Sequence, residues 1–248
     1  MTTTAHAFDT LEADGFAIAH NVVTSVVVKR IIEAVASIDG VPRSDRRSSR
    51  NARGLLESCR EVADLAGSQA IRQLVEPVIG KCAFPVRGIL FDKVVAANWH
   101  VGWHQDQVIP VQVRVETPGF TAWSVKQGID HVRPPAEVLA GMLTLRVHLD
   151  DCAEENGPLE MIPGTHQSGL LDADEISTIV ASRRPVVCAA RAGDVLLIRP
   201  LLLHASRRAS TPHHRRVMHL EFAVDELPGE LDWHSPTERL NLRGGVLP

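Results

Sequence analysis

A histidine and an aspartate two residues apart, joined by a second histidine from far along the chain, are groups that can hold a divalent metal. Two histidines and one carboxylate suit non-haem Fe(II), and they leave positions on the metal open to O2 and a further ligand. The chain carries two such pairs, His104-Gln105-Asp106 and His148-Leu149-Asp150. On extended backbone the two members of either pair point to one face. With 12 histidines in 248 residues, chance supplies roughly one match of this kind, so spacing alone does not choose between them. His204, in Leu201-Leu202-Leu203-His204-Ala205-Ser206, offers the third ligand. It lies 204 − 106 = 98 residues beyond Asp106, enough for a sheet to leave and return.

Elements must bring these groups together. At 44% hydrophobic content the chain can bury a sizeable core, and a net charge of −4 shows no footprint of nucleic acid or membrane binding. No apolar run approaches the roughly 18 residues of a spanning helix, and no signal peptide is visible at Met1. Cys59, Cys82, Cys152 and Cys188 form no Cys-x-x-Cys and read as reduced thiols, which fits the cytosol.

Phe16 to Ala19 reads as a short strand, and Thr24 or Ser25 can cap a helix running to about Ser37. Residues 41–54 hold Arg43, Arg46, Arg47, Arg50 and Arg53 with no apolar period, which predicts a loop. Two short helices are expected near Ser58–Ala66 and Ser68–Ile79. From Ala83 onward strands dominate, with irregular structure over 107–141 and a turn of helix after Pro135. From Met142 to Leu149 apolar residues alternate with Thr144, Arg146 and His148, as in a strand whose polar face lines a cavity. Asn156-Gly157 and Pro163-Gly164 mark turns, Asp174 to Ser182 reads as a helix, and Val195–Arg199, Leu201–His204 and Arg215–Phe222 read as strands. Many short strands between turns predict a mainly β protein with flanking helices. Its core is expected to be a jelly roll over about 81–225, with helices from about 1–80 packed on it. No repeat or linker divides residues 1–248, so one domain is expected.

Four blocks resemble the phytanoyl-CoA dioxygenase superfamily of Fe(II)/2-oxoglutarate oxygenases. They are Asn98 to Asp106, Leu149-Asp150-Asp151 leading to Asn156-Gly157-Pro158-Leu159, Ile162-Pro163-Gly164-Thr165-His166, and Gly193-Asp194-Val195 through Ser206 to Arg215. Residues 8–24 are similar to the family's usual opening. The resemblance implies a double-stranded β-helix of the cupin-like kind and oxidation of a C–H bond of a small molecule, with 2-oxoglutarate converted to succinate and CO2. It places the His-x-Asp ligands at His104 and Asp106, makes His204 the distal ligand, and demotes His148 and Asp150 to structure. It further implies that Arg215, eleven residues after His204, meets the far carboxylate of 2-oxoglutarate, and that Ser206 supplies a hydroxyl there. The presence of Asp106 implies hydroxylation or a related oxidation, because halogenating relatives lack that carboxylate.

The residues themselves support part of this. A buried carboxylate needs a partner, and a guanidinium meets it through two hydrogen bonds. Strand parity groups Arg215 with Val217, His219 and Glu221, and leaves Arg216 with Met218, Leu220 and Phe222. Thr144 and Arg146, on the polar face of their strand, are candidates to bind the co-substrate. Asn98, six residues before His104, is another, and Lys93 a weaker one. Trp99, Trp103 and Trp123 can wall the pocket or simply pack. Arg53 and Arg50, next to the anchoring pair Leu55-Leu56, are candidates to meet an anionic group of the prime substrate; the alternative is a solvated connector. Two other readings stay open: a metal-binding jelly roll without oxygenase activity, and a cupin-type enzyme that does not use 2-oxoglutarate.

Overall fold

The structure, a computed structural model, describes residues 4–38, 50–95, 98–211 and 214–235. The first part holds α1 (Thr4–Asp14), β1 (Phe16–Ala19), α2 (Ser25–Ala36), β2 (Arg50–Ala52), α3 (Leu55–Ser58), α4 (Arg60–Gly67) and α5 (Gln69–Ile79). Then come β3 (Phe84–Lys93), β4 (Val101–His104), β5 (Ile109–Val111), β6 (Thr121–Lys126), β7 (Ile129–Arg133), α6 (Ala136–Ala140) and β8 (Leu143–His148). The last part holds β9 (Leu159–Met161), α7 (Ala173–Ser182), β10 (Val186–Cys188), β11 (Val195–Ile198), β12 (His204–Ser206) and β13 (Arg215–Ala223).

Among the described residues three antiparallel sheets form, ordered β1-β11-β8-β13-β3-β2, β10-β9-β12-β4 and β5-β7-β6. The six-stranded sheet has two unlike faces. Leu143, Leu145 and Val147 of β8 and Met218, Leu220 and Phe222 of β13 form one face, and they share a core with Val28, Ile31 and Val35 of α2, Val62 and Leu65 of α4 and Ile71 and Leu74 of α5. The helices form because these apolar residues recur at helical spacing, with Thr24 capping α2 and Ser68 capping α5. On the other face Phe16, Leu196 and Ile198 pack against Leu159, Met161 and Cys188 of the four-stranded sheet. The two sheets therefore face each other, as a jelly roll requires, with one interior end apolar and the other polar.

Several expectations change in detail. Helix α1 was not expected. The predicted loop 41–54 ends in strand β2, which pairs with β3; Arg43, Arg46 and Arg47 lie outside the described residues. The helix expected from Ser58 is split at Cys59, whose backbone is extended. Leu201–Leu203 is not strand: the backbone there bends so that Leu203 N–H donates to Thr165 Oγ1 (2.9 Å) and Leu202 N–H to Arg199 O (2.9 Å). All four cysteines are free. Among the described residues no helix is long and apolar enough to cross a membrane.

Candidate active site

β4 and β12 are hydrogen-bonded neighbours, and their register sets His104 directly opposite His204. The two rings lie 4.3 Å apart between centroids. Asp106 follows in the loop after β4, where its N–H donates to Pro200 O (3.0 Å). Gln105 between them is buried and fully engaged. Its amide donates to Leu201 O (2.7 Å) and Gly169 O (2.8 Å), and its carbonyl accepts from Leu171 N–H (2.9 Å) and from Gln107 (3.1 Å). One side chain thus ties the His-x-Asp loop to the loop that leads into His204. One ligand atom from each of His104, Asp106 and His204 can be chosen so that all lie within 4.8 Å of one another.

A second set, Asp106, His219 and Glu221, meets the same distance test. Hydrogen bonding separates the two. His219 has both nitrogens engaged, Nδ1 with Arg146 (3.2 Å) and Nε2 with Glu221 (2.8 Å), and Glu221 is also paired with Arg87. His104 and His204 hydrogen-bond only through Nδ1, with Gly102 O (2.8 Å) and Leu202 O (2.9 Å), and His204 Nε2 stands 3.9 Å from Asp106 Oδ2. The Nδ1 contact fixes the tautomer with the proton on Nδ1 and leaves the Nε2 lone pair for a metal. Burial pushes His204 down to about 4 even with Asp106 beside it, so the ring is neutral as a ligand must be. Burial alone would raise Asp106, but His204, His219, His104 and Arg87 outweigh it and hold the carboxyl below its usual range.

The alternative pair does not converge on a metal. Asp150 accepts from the Nε (2.8 Å), Nη2 (2.6 Å) and backbone N–H (2.8 Å) of Arg216. His148 is buried with neither ring nitrogen partnered, and burial followed by the charge of Arg146 pushes it down to about 3.

Parity and register assemble the rest of the polar interior. Opposite one another across β3 and β13 stand Arg87 and Glu221, Ile89 and His219, Phe91 and Val217, and Lys93 and Arg215. Across β13 and β8 stand His219 and Arg146, and Glu221 and Thr144. Arg215, Arg146 and Lys93 are each less than 10% exposed, and among the described residues none of the three is ion-paired with a carboxylate. Arg215 donates to Gly157 O. Lys93 Nζ donates to Ser206 Oγ (2.7 Å) and Arg207 O (2.6 Å). Burial, then the charge of Arg215, pushes Lys93 down to about 7, and the same two causes bring Arg146 to about 10. Arg215 Nε, Arg146 Nε and Thr144 Oγ1 are buried without a partner.

Other candidates fare differently. Asn98 is engaged elsewhere: its amide donates to Ala209 O (2.8 Å) and accepts from Ala209 N–H (2.7 Å), so it pins the segment after β12 and is not available as the co-substrate ligand expected of it. Trp99 lies under Lys93, 5.6 Å from its ammonium. Trp103 is half-buried beside His104, and adjacent residues of a strand take opposite faces. Trp123 packs against the core under α6 with its ring covered by Arg114 at 5.3 Å, and its indole N–H is buried without a partner. Arg53 is half-buried after β2; the side chain of Arg50 is outside the described residues. The sequence reading underrated Lys93 and missed Gln105, Arg87, His219 and Glu221 as parts of the site. The signal for the last two was present, since they share parity with Arg215.

Fold and site define a double-layered β protein with a 2-His-1-carboxylate group set against a buried cationic pocket. The model of the phytanoyl-CoA dioxygenase family matches residues 11–217, and the chain belongs to that family. It is accordingly an Fe(II)/2-oxoglutarate-dependent dioxygenase. Among solved structures the fold is similar to AviO1 from Streptomyces viridochromogenes Tue57, at 24% identity, covering 92% of this chain and 98% of that one with a TM-score of 0.66. It is also similar to HygX from Streptomyces hygroscopicus with nickel and 2-oxoglutarate bound (18% identity, 89% and 87% covered, TM-score 0.65). A third is EctD from S. alaskensis with 2-oxoglutarate and 5-hydroxyectoine (18%, 88% and 75%, 0.67). No curated protein matches the chain by sequence.

Proposed function

We propose that His104, Asp106 and His204 hold Fe(II), and that Arg215, Lys93, Arg146, Thr144 and Ser206 hold 2-oxoglutarate beside it, for oxidation of a C–H bond of a small molecule. The observation that carries this reading is three buried cations without a carboxylate partner next to a ligand triad with two free Nε2 lone pairs. Uncompensated buried charge is costly, and a bound dianion removes the cost. When bound with O2, the metal and co-substrate supply the oxidising equivalent, with release of succinate and CO2.

The chain's own residues have distinct tasks. Arg215 offers a guanidinium to the distal carboxylate, and Gly157 O holds that guanidinium in place. Lys93 orients Ser206 Oγ by donating to it, which leaves the hydroxyl proton free for the ligand. Arg146 acts electrostatically on both halves of the site, since its charge reaches His204 as well as Lys93. His219, Glu221 and Arg87 close the wall behind Asp106 with every charge paired. The helices and the β-rich part work as one domain, since one core cluster spans both. Three buried free thiols suit the reducing cytosol expected from the sequence.

The test is succinate formation from 2-oxoglutarate with Fe(II) and O2, together with metal binding by calorimetry. His104→Ala, Asp106→Ala and His204→Ala should each abolish turnover and weaken metal binding, while His148→Ala keeps its metal. Loss of iron in His148→Ala with retention in His104→Ala would sink the assignment.

A further inference from the structure

Beyond the co-substrate pocket the same interior carries charge that neither metal nor 2-oxoglutarate uses. It begins at the end of β2. Asn51 stands opposite Phe91 of β3 and Ala52 opposite Leu90, so alternation places Arg53 on the face of Asn51 and Phe91, the inner one. Gly54 follows in the left-handed region (φ 66°) and turns the chain directly into α3. Leu55 and Leu56 are buried, and Leu56 lies over Gly88, where an added Cβ would stand 3.2 Å from it. This anchor fixes the position of Arg53. The β6–β7 hairpin leans on the same edge, its turn residue Gln127 donating to Asn51 O (3.2 Å). Lys126, half-buried, is the last residue of β6 before that turn.

Arg53, Arg87 and His131 line one narrow cleft. Among the described residues Arg53 and Lys126 form no hydrogen bond or ion pair. His131 is 1% exposed; its Nδ1 engages Ile129 O (2.9 Å) and its Nε2 is buried without a partner. Arg87 Nε is likewise buried and unpartnered. Two carboxylates adjoin. Glu221 is paired with Arg87 and His219, and Glu57 accepts from Ser235. Arg53 and Arg87 in the cleft and Lys126 beside it stand against Glu221 and Glu57, with Asp106 of the metal group a third carboxylate within reach. The cleft adjoins the metal group, because Glu221 belongs to the same 4.8 Å cluster as Asp106. Arg53 and Lys126 both sense Asp106 and Glu221, and burial followed by neighbouring arginines lowers the pKa of each. Glu221 is already paired with Arg87 and His219, and Asp106 belongs to the metal group, so neither carboxylate is left to pair with Arg53 or Lys126, and an anion brought by a ligand can do so.

We propose that this cleft binds an anionic group of the prime substrate, with Arg53 and Lys126 as its cationic partners and His131 Nε2 accepting from a hydroxyl beside it. The inference rests on the oxygenase reading above and deepens it: the enzyme acts on a hydroxyl-bearing organic anion, either a phosphate ester or a carboxylic acid. Arg53 and Lys126 are positioned by two different elements, β2 and the β6–β7 hairpin, held together where Gln127 donates to Asn51 O.

Calorimetric titration of inorganic phosphate and of glycolate tests this. The protein is loaded with Fe(II) and saturating 2-oxoglutarate without O2, so that the co-substrate pocket is filled. Saturable binding of at least one probe is expected, weakened tenfold or more in Arg53→Gln and in Lys126→Gln, with Arg53→Lys between. Arg60→Gln, an exposed cation on α4, should change affinity less than twofold. The stronger probe identifies the anion as phosphate or carboxylate. No saturable binding of either probe, equal binding in wild type and both variants, or an equal loss in Arg60→Gln would overturn the proposal. Titration of 2-oxoglutarate into the Fe(II) protein reads the co-substrate assignment separately, so the two can fail independently.

Discussion

At the scale of residues, Arg215 and Arg216 are adjacent arginines with opposite fates. Arg216 is locked to Asp150 by two side-chain hydrogen bonds, and Arg215 holds only a carbonyl and a thiol neighbour. Arg215→Ala leaves the distal carboxylate of 2-oxoglutarate without its guanidinium. Losing one partner of a buried charge pair costs about 2–5 kcal/mol, a roughly 30- to 4000-fold weaker dissociation constant. The remaining charges of Lys93 and Arg146 favour the lower end. Arg216→Ala should cost about 1–3 kcal/mol of stability by chemical denaturation and change co-substrate affinity little. Equal losses of affinity at both positions would show that the assignment of faces on β13 is wrong. Lys93 adds a pH dependence. With its pKa at about 7 in the free protein, a bound dianion must raise it. Below pH 7 Lys93 is charged before and after binding, so affinity is flat. Above pH 7 binding must take up a proton, so affinity falls as pH rises. Titrating 2-oxoglutarate between pH 6 and 9 should show this slope in the wild type and lose it in Lys93→Met.

At the scale of elements, the site depends on backbone approaches that only certain residues permit. Gly157, with φ at 62°, presents its carbonyl to Arg215, and an added Cβ would stand 2.4 Å from Arg207 O. The clash is with backbone, which cannot swing aside. Gly157→Ala should therefore cost more than the about 1 kcal/mol of an ordinary left-handed alanine, and it should displace both Arg215 and the Lys93 acceptor at Arg207. Weaker 2-oxoglutarate binding together with lower stability is the expected pair of results; normal binding would show that Gly157 does not position Arg215. Gln105 plays the same part for the metal. Gln105→Leu keeps every ligand but leaves the Leu171 N–H and the carbonyls of Gly169 and Leu201 without their partner, at about 1–3 kcal/mol for an unsatisfied buried group. Metal affinity, measured by competition with a chelator, should fall although His104, Asp106 and His204 are intact.

For the whole molecule, the interior of the β layers is a strained electrostatic environment until it is filled. Burial first, and then the charge of Arg215, lowers the pKa of Lys93 and Arg146 alike. Filling the pocket should therefore stabilise the fold. A ligand at a hundredfold excess over its dissociation constant adds about 2.7 kcal/mol, and for a chain of this size that is a rise in Tm of roughly 5–10 °C. Thermal unfolding with Ni(II) and 2-oxoglutarate, against Ni(II) alone, reads it. Absence of a shift in the wild type would argue that the cationic pocket does not take the dianion.

The sequence by itself determined the local part of this picture. Periodicity placed α2, β8 and β13, because the apolar residues that build their faces recur at 3.6 or 2 residues. Parity placed Arg215, His219 and Glu221 on one side of β13, and the ordered turn residues around Gly157 and Gly164 carried the family resemblance. Three things needed the tertiary structure. The choice between the two His-x-Asp pairs became physical only once Asp150 was seen to be engaged by Arg216 and His104 to stand opposite His204. Asn98 and Lys93 exchanged importance because the reach of a side chain depends on strand register, and no local pattern encodes the partner of β3. Arg53 gained an inward direction only through the pairing of β2 with β3, a contact between segments some forty residues apart. Short-range pattern reports which face a residue takes; what waits on that face is set by strands that are neighbours in space and distant in sequence.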